Sequence, residues 1–137
     1  MNISVTDQYA LQAIFDLALQ PADARVKVGD IAQRQDIPQK FLETILIRLK
    51  QGGFVASRRG VEGGYRLLRT ADQITIGEVL RHMYGARRSK RARPAALADL
   101  WTRVDCAIDG VLDHTSFAEV ARRWRESQSR HVGDWII

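Results

Sequence analysis

The sequence predicts a mainly α-helical protein with a small β-wing, namely a winged helix-turn-helix followed by a long C-terminal dimerisation helix. Three observations support this fold class. Residues 28–68 read as a helix, a tight turn, a second helix and two short strands. Basic side chains are concentrated on that second helix and on the strand pair. Further along the chain, apolar residues recur at alternating spacings of four and three, which is the pattern of a helix that pairs with another helix.

The composition limits the classes of protein to which the chain can belong. With 137 residues, of which 45% are hydrophobic and 27% charged, it has the make-up of a globular protein with a core of its own. The formal net charge of +5 favours a polyanionic partner. No apolar run is long enough for a membrane span and no signal-peptide pattern is present, so no membrane partner is expected. The single cysteine, Cys106, excludes an intrachain disulfide and favours the cytoplasm.

Two helices are predicted ahead of the basic one. The first begins near Thr6 and ends before Pro21, and the second runs from about Gly29 to Gln35. Ile37 precedes a proline and therefore avoids the α-helical region, which predicts the turn of the helix-turn-helix there. Residues 26–28 are a candidate for one further short strand beside the wing. The predicted core face of the first helix is formed by Tyr9, Ala10, Ala13, Ile14 and Leu17.

The helix after the turn, here called the recognition helix, is predicted to start with Pro38 as its first residue and to end at Gly52-Gly53. One side of it is apolar and predicts packing on a core, through Phe41, Leu42, Ile45, Leu46 and Leu49. The opposite arc carries the candidates for reading base edges, Gln39, Lys40, Glu43, Thr44 and Ile47. For Ile47, contact with a thymine methyl group and packing on the partner helix are both open.

Two strands, 54–57 and 65–68, are predicted to form a hairpin around a loop rich in glycine and arginine. The candidates for phosphate contacts on the recognition helix and the wing are Arg48, Lys50, Arg58, Arg59 and Arg66. The alternative is that these cations only solvate a surface. Residues 40–69 hold seven cations against Glu43 and Glu62 alone, which argues for the interaction with DNA.

After the wing, Thr75 and Glu78 have the spacing of a capping box, and the helix that they start is predicted to reach Tyr84. These patterns divide the chain into a winged helix-turn-helix domain at 1–84, a basic connector at 85–93 and a dimerisation region at 94–137. The connector holds five cations and no anion. It is either an arm that contacts phosphates or a solvated tether.

A long helix is predicted from Pro94 to about Leu112. Its apolar seam, expected to form the interface of a homodimer, consists of Leu97, Trp101, Val104, Ile108 and Val111. Packing of this seam on its own domain is the alternative. After a break at 113–115, Ser116 and Glu119 have capping spacing, and a last apolar stripe consists of Phe117, Val120, Ala121 and Trp124. The apolar end of the chain, 135–137, is a candidate for docking across the dimer.

Three stretches, YALQAIFDLA, IAQRQDIPQKFLETILIRLKQGGFVASRRGVEGGYRLLR and ITIGEVLRHMYG, resemble the IscR, NsrR and CymR family of bacterial winged-helix regulators, the Rrf2 family. The resemblance implies a homodimeric transcription factor, usually a repressor, in which crossed long helices form the dimer. It implies that Glu43 helps to discriminate bases and that the wing lies at the minor groove. The positions that match the wing signature are Arg59, Gly60, Gly63, Gly64 and Tyr65. Val61 and Glu62 depart from it, since many members have proline and glycine there.

The resemblance also bears on cofactors. Cluster-binding members carry three cysteines between the fourth helix and the dimer helix, whereas residues 85–100 of this chain hold none. An iron–sulfur cluster needs several thiolates or comparable ligands, which Cys106 alone cannot supply. No cofactor is therefore expected. No metal site is expected either, because His82, His114 and His131 lack ligand spacing.

The sequence offers several candidates for the signal that controls the protein. Cys106 is either a redox sensor or a buried small hydrophobe. A pocket lined by Trp101, Trp124 or Tyr84 is a candidate site for a small effector, and a protein corepressor is equally allowed. No catalytic set or phosphate-cradling loop is visible, so the chain is not expected to be an enzyme. The rival to a DNA-binding role is a winged helix used only for protein interaction.

Overall fold

A computed structural model describes residues 3–85 and 94–136, with side chains described as far as residue 130. This part of the chain contains six helices and a two-stranded antiparallel sheet. The helices are α1 (Val5–Leu19), α2 (Val28–Gln35), α3 (Gln39–Gln51), α4 (Ile76–Tyr84), α5 (Ala98–Asp113) and α6 (Phe117–Ile136), and the strands are β1 (Val55–Arg58) and β2 (Gly64–Leu67). Short 3-10 turns occupy 71–73 and 95–97. The predicted fold class, mainly helical with a small wing, is confirmed.

α1 lies at the centre of the core, where it packs against α2, α3, α4 and α6. It begins one residue earlier than predicted because Ser4 caps it, with the Ser4 Oγ accepting a hydrogen bond from the Asp7 amide at 3.1 Å. The predicted core face is confirmed: Ala10, Ala13, Ile14 and Leu17 are buried, and Tyr9 packs at their edge. Each large apolar side chain buried in this way contributes about 1.5–3 kcal/mol.

A bidentate ion pair fixes α2 on α1. Arg34 Nε and Nη2 donate to the two carboxylate oxygens of Asp16 at 2.9 and 2.8 Å, and Gln35 Nε2 adds a bond at 3.2 Å. The Asp16 side chain is only 1% exposed, so these donors compensate a carboxylate that water cannot reach. The hydrogen bond to Asp16 raises the pKa of Arg34 above its usual value.

α2 and α3 differ from the prediction at their edges. α2 begins at Val28 rather than Gly29, and Pro38 is the N-cap of α3 rather than its first residue. Of residues 26–28, only Val26 pairs with the wing, as an isolated bridge to Tyr65. Leu42, Ile45, Leu46 and Leu49 are buried as predicted, whereas the expectation for Phe41 is wrong.

Phe41 is 53% exposed, and its ring meets that of Tyr9 edge-on at 6.4 Å between centroids. It lies at the flank of the buried side of α3, where a ring reaches only the rim of the core. The helical period alone did not distinguish this flank from the centre of the stripe.

The C-terminal half of the chain packs back against the helix-turn-helix. The capping box of α4 is confirmed, with both of its hydrogen bonds present, and α4 ends at Tyr84 as predicted. α5 begins at Ala98 instead of Pro94, because the 3-10 turn at 95–97 precedes it. Thr75 and Ser116 form an isolated β-bridge that joins the starts of α4 and α6. Phe117 and Ala121 of α6 are buried, and Phe117 belongs to the main core.

Residues 86–93 of the basic connector and residue 137 lie outside the described residues, as do the side chains of 131–136. Among the helices described, none combines the length and hydropathy needed to cross a membrane.

Candidate nucleic-acid interface

The exposed arc of α3 contains the five residues predicted to lie near bases. Each of these side chains is exposed. Gln39 Nε2 lies 3.4 Å from Glu43 Oε1, and Thr44 Oγ1 donates to the Lys40 carbonyl at 3.3 Å. Ile47 is 53% exposed and provides an apolar contact surface on the same arc. The arc therefore combines donors, acceptors and one apolar side chain, which are the groups that distinguish base pairs in a major groove.

The wing is a tight hairpin whose two strands pair from Val55 opposite Leu67 to Arg58 opposite Gly64. Both strands are shifted by one residue from the predicted ranges. The loop closes through a hydrogen bond from the Gly63 amide to the Gly60 carbonyl at 3.0 Å. Arg58 and Arg59 are exposed at the distal end of the hairpin. This places two guanidinium groups where a neighbouring phosphate backbone could meet them.

Three contacts hold the wing in a fixed relation to the helix-turn-helix. Val26 and Tyr65 exchange both backbone hydrogen bonds, at 2.7 and 2.8 Å. Lys27 Nζ donates to the Val61 carbonyl at 2.9 Å, although the Val61 side chain itself is 90% exposed. Lys50 Nζ, in the last turn of α3, donates to Ser57 Oγ on β1 at 2.7 Å. The helix and the wing therefore form a single surface.

Arg66 is less accessible than the other wing cations. It lies on β2 opposite Ala56, and its side chain is partly buried. Tyr65, on the same strand, packs partly against the main core. Tyr65 therefore helps to anchor the wing on the core, while Arg58 and Arg59 provide the exposed charge of the wing.

Arg48 is placed differently from the other predicted phosphate contacts. Its Nη2 donates to the carbonyl oxygen of Met83, in the last turn of α4, at 2.7 Å, and the side chain is partly buried. The end of a helix carries the negative end of the helix dipole, so the guanidinium is favourably placed at the last turn of α4. The guanidinium of Arg48, predicted to contact phosphate, is therefore held at the last turn of α4.

The seam of α5 is largely uncovered. Its exposed residues are Trp101, Val104 and Val111 on α5, Val111 to 66%, and Leu97 in the 3-10 turn just before the helix, while Ile108 is partly buried. No residue of α5 is fully buried, and the helix contacts its own domain through α4. The packing of a single chain therefore leaves most of this apolar seam in contact with solvent.

A cleft of about 340 Å³ lies between α4 and α5, and Arg81 and Asp113 form an ion pair beside it. The hydrogen bond to Asp113 raises the pKa of Arg81 above its usual value. Tyr84 lines this cleft, as predicted for an effector pocket, whereas Trp124 lies with its ring edge-on to Phe15 at 6.2 Å. Trp101 is on the exposed seam. Of the three aromatic candidates, Tyr84 is therefore the one that lines this cleft, since α6 carries Trp124 to α1. The cleft is lined by Gly77, Leu80, Arg81, Tyr84, Gly85, Asp109 and Leu112.

Cys106 is exposed on α5, so the expectation of a buried small hydrophobe does not describe it in a single chain. The residues present do not fit an iron–sulfur cluster, since this is the single cysteine of the sequence. Within the described ranges, no group of three or more His, Cys, Asp or Glu side chains could hold a metal ion.

Several residues of this surface escaped the prediction from sequence. Lys27, Ser57 and His82 make contacts with partners 34, 7 and 34 residues away. Local periodicity contains no information about such pairs. Only His82 offered a signal in the sequence, since it is a polar residue next to the apolar Met83 in a short helix, where a polar side chain needs a partner.

Comparison with known proteins gives the family. Residues 3–123 match the model of the Rrf2 family, described as iron-dependent transcriptional regulators. IscR of Photobacterium profundum is 31% identical over 131 residues, 89% of this chain and 76% of that protein. A Synechocystis protein named as a candidate HTH-type transcriptional regulator is 44% identical over 80 residues, and the match spans 58% of this chain and about half, 54%, of that relative.

Solved structures agree with this assignment. CymR, the global cysteine regulator of B. subtilis, superimposes with a TM-score of 0.82 at 29% identity, covering 90% of this chain and 98% of CymR. IscR of T. potens also gives a TM-score of 0.82, at 30% identity, covering 93% of this chain and 91% of that one. These relatives are transcriptional regulators and not enzymes, in agreement with the prediction. The chain belongs to the Rrf2 family of DNA-binding transcriptional regulators of bacteria.

Proposed function

We propose that the chain is a homodimeric, sequence-specific repressor of transcription that works without an iron–sulfur cluster. The observation that carries the proposal is the single surface formed by the exposed arc of α3 and the wing, fixed by the Val26–Tyr65 pair and the Lys50–Ser57 bond. A surface of this kind can present side chains to base edges and to phosphates at the same time.

In this proposal, a two-fold dimer puts its two α3 helices into successive major grooves, about 34 Å or one helical turn apart. Gln39, Lys40, Glu43 and Thr44 lie near base edges, and Ile47 lies near a thymine methyl group. The wing follows the backbone toward the minor groove. The cations proposed to neutralise phosphates are Lys50, Arg58, Arg59 and Arg66, with Glu62 opposing them at the tip.

The proposed homodimer is supported by the seam of α5. Apolar side chains that remain exposed in one chain gain about 25 cal/mol for each Å² that a partner covers. An isologous contact, in which the same seam lies on both sides, needs no further partner. Repression then follows from occupancy of the operator, since a bound dimer covers DNA that the transcription machinery must reach.

The absence of cluster ligands means that another signal controls the protein. Arginines and a lysine occupy the connector where cluster-binding members have cysteines. A small molecule or a protein corepressor fills this role in the proposal. The exposed thiol of Cys106 makes an oxidant the first reagent to add, because it tests a thiol signal in the same binding assay.

The test begins with selection of DNA from a random library by the purified full chain, followed by footprinting and by affinity measurements over a range of salt concentrations. Arg59→Ala is expected to weaken binding to every sequence and to flatten the salt slope by about one unit. Glu43→Ala is expected to relax base preference at one position in each half-site, at a cost of about 1–3 kcal/mol in discrimination.

Arg122→Ala is the matched control, since it removes the same charge from α6, where Arg122 pairs with Glu126. It is expected to leave both the salt slope and the base preference unchanged. Unchanged relative affinities in Glu43→Ala would show that the recognition assignment is wrong. If no sequence is selected and binding shows no steep salt dependence, the surface serves protein interaction instead.

A further inference from the structure

The last turns of α3 and α4 are joined by two reciprocal hydrogen bonds, here called the α3–α4 joint. Arg48 Nη2 of α3 donates to the carbonyl oxygen of Met83 in α4 at 2.7 Å. His82 Nε2 of α4 lies 2.6 Å from the carbonyl oxygen of Arg48 in α3. Each helix therefore contributes one side chain to a backbone carbonyl of the other.

Both acceptors belong to the last turn of their helix, which carries the negative end of the helix dipole. The cationic guanidinium of Arg48 is favourable at the end of α4 for that reason. The Arg48 carbonyl also accepts from the Gly52 amide at 3.1 Å. The joint thus brings a side chain of each helix to the end of the other helix.

Packing around His82 extends the joint to the wing. A β-carbon at Gly52 would lie 2.8 Å from the imidazole ring, so the glycine is what allows the ring to approach the end of α3. On its other side, the ring meets Phe54 edge-on at 5.5 Å between centroids. Phe54 is buried and directly precedes β1. One imidazole therefore contacts both the end of α3 and the start of the wing.

We infer that Arg48 and His82 are positioning residues for DNA reading: they set the orientation of α3 and the wing on α4, and Arg48 acts through this contact and not by binding phosphate. The inference deepens the proposed function and rests on it. Base readout depends on the angle at which α3 enters the groove, whereas non-specific attraction depends mainly on the number of cations that contact phosphates, to which Arg48 does not belong in this inference. Loss of the joint therefore lowers specific binding and spares non-specific binding.

The two roles of Arg48 make different predictions for the salt dependence of binding. A phosphate contact releases about one counterion, so its removal flattens the salt slope by about one unit and weakens binding to all DNA. A positioning residue leaves the salt slope and the non-specific affinity unchanged. His82 provides an independent test, because it contributes the other hydrogen bond of the joint and is not among the cations proposed to contact phosphate.

The experiment uses the full chain, a DNA fragment selected by the wild type and a scrambled fragment of equal length. Arg48→Met keeps the aliphatic stem, and His82→Phe keeps a ring against Gly52. Each is expected to lower the ratio of specific to non-specific affinity about tenfold, with an unchanged salt slope. The double variant is expected to lose little more than either single variant, because residues in one unit are not additive. His82→Gln, whose amide can still donate to the Arg48 carbonyl, is expected to restore most of the ratio.

Arg122→Met on α6 is the matched control and is expected to keep the wild-type ratio. A flatter salt slope in Arg48→Met, or an unchanged ratio in His82→Phe, would overturn the inference while leaving the proposed function intact. If His82→Phe does not fold, His82→Asn is compared with His82→Gln, because the shorter amide of Asn cannot reach the Arg48 carbonyl. Equal ratios of specific to non-specific affinity in these two variants would overturn the inference. A wild-type chain that selects no DNA overturns the proposed function and this inference with it.

Discussion

At the scale of single residues, Gly64 shows how closely the wing approaches the helix-turn-helix. Its φ is +148°, and a β-carbon there would lie 2.6 Å from the carbonyl oxygen of Val26. Gly63 is equally confined, since a β-carbon on it would overlap the backbone at Arg58. The wing signature in this chain therefore has a steric origin: these glycines let one backbone pass directly over another.

Gly64→Ala is expected to destabilise the protein by about 1–3 kcal/mol, because the added carbon must displace the Val26 backbone to which Tyr65 is bonded. Urea unfolding measures this change. Gly29→Ala is the matched control: it lies in α2, its β-carbon would make an ordinary contact at 3.7 Å, and it is expected to stabilise by about 0.5–1 kcal/mol. Equal stability of the Gly64 variant and the wild type would refute the steric explanation.

At the scale of secondary-structure elements, α4 and α6 start at a shared point. Thr75 and Glu78 exchange the two bonds of the capping box at 3.2 and 3.1 Å. The Ile76 amide donates to the Thr115 carbonyl at 3.0 Å, and the Phe117 amide donates to the Ile74 carbonyl at 3.0 Å. Backbone amides that precede or begin the two helices thereby donate to side-chain oxygens and to the carbonyl groups of the neighbouring segment.

Thr75→Ala is expected to cost about 1 kcal/mol, because the amide of Glu78 loses its acceptor. Thermal or urea unfolding of the full chain checks the value. Thr102→Ala on α5 serves as control, since the Thr102 hydroxyl only bonds back to the Ala98 carbonyl within its own exposed helix. A loss in the control as large as that in Thr75→Ala would contradict a specific role for the cap.

Local signals account for most of the elements predicted from the sequence. Helical periodicity located α1 and the buried side of α3, and the capping box located α4. Local signals failed where a distant partner decides the outcome. The 3-10 turn ahead of α5 and the exposed flank at Phe41 depend on packing. Arg48 looked like any other cation of the basic surface because Met83, its partner, lies 35 residues away.

At the scale of the whole molecule, the exposed seam of α5 is the basis of the proposed dimer. Val104→Asp is expected to give a monomer, since a carboxylate buried without a partner costs several kcal/mol. Sedimentation velocity measures the change, and binding to the selected DNA should fall with it. Thr102→Asp introduces the same charge two residues away, on the opposite side of the helix, and is expected to remain dimeric. A dimeric Val104→Asp variant would place the interface elsewhere.

The burial of Phe117 within the main core has a consequence for shortened forms of this protein. A phenylalanine of this kind is worth about 3–5 kcal/mol, a large part of the stability of a small domain. A protease cut or a premature stop codon ahead of residue 117 would leave every DNA-facing side chain in the product yet remove part of the core beneath them. We therefore expect such fragments to be less stable than the intact chain, although they keep the α5 seam.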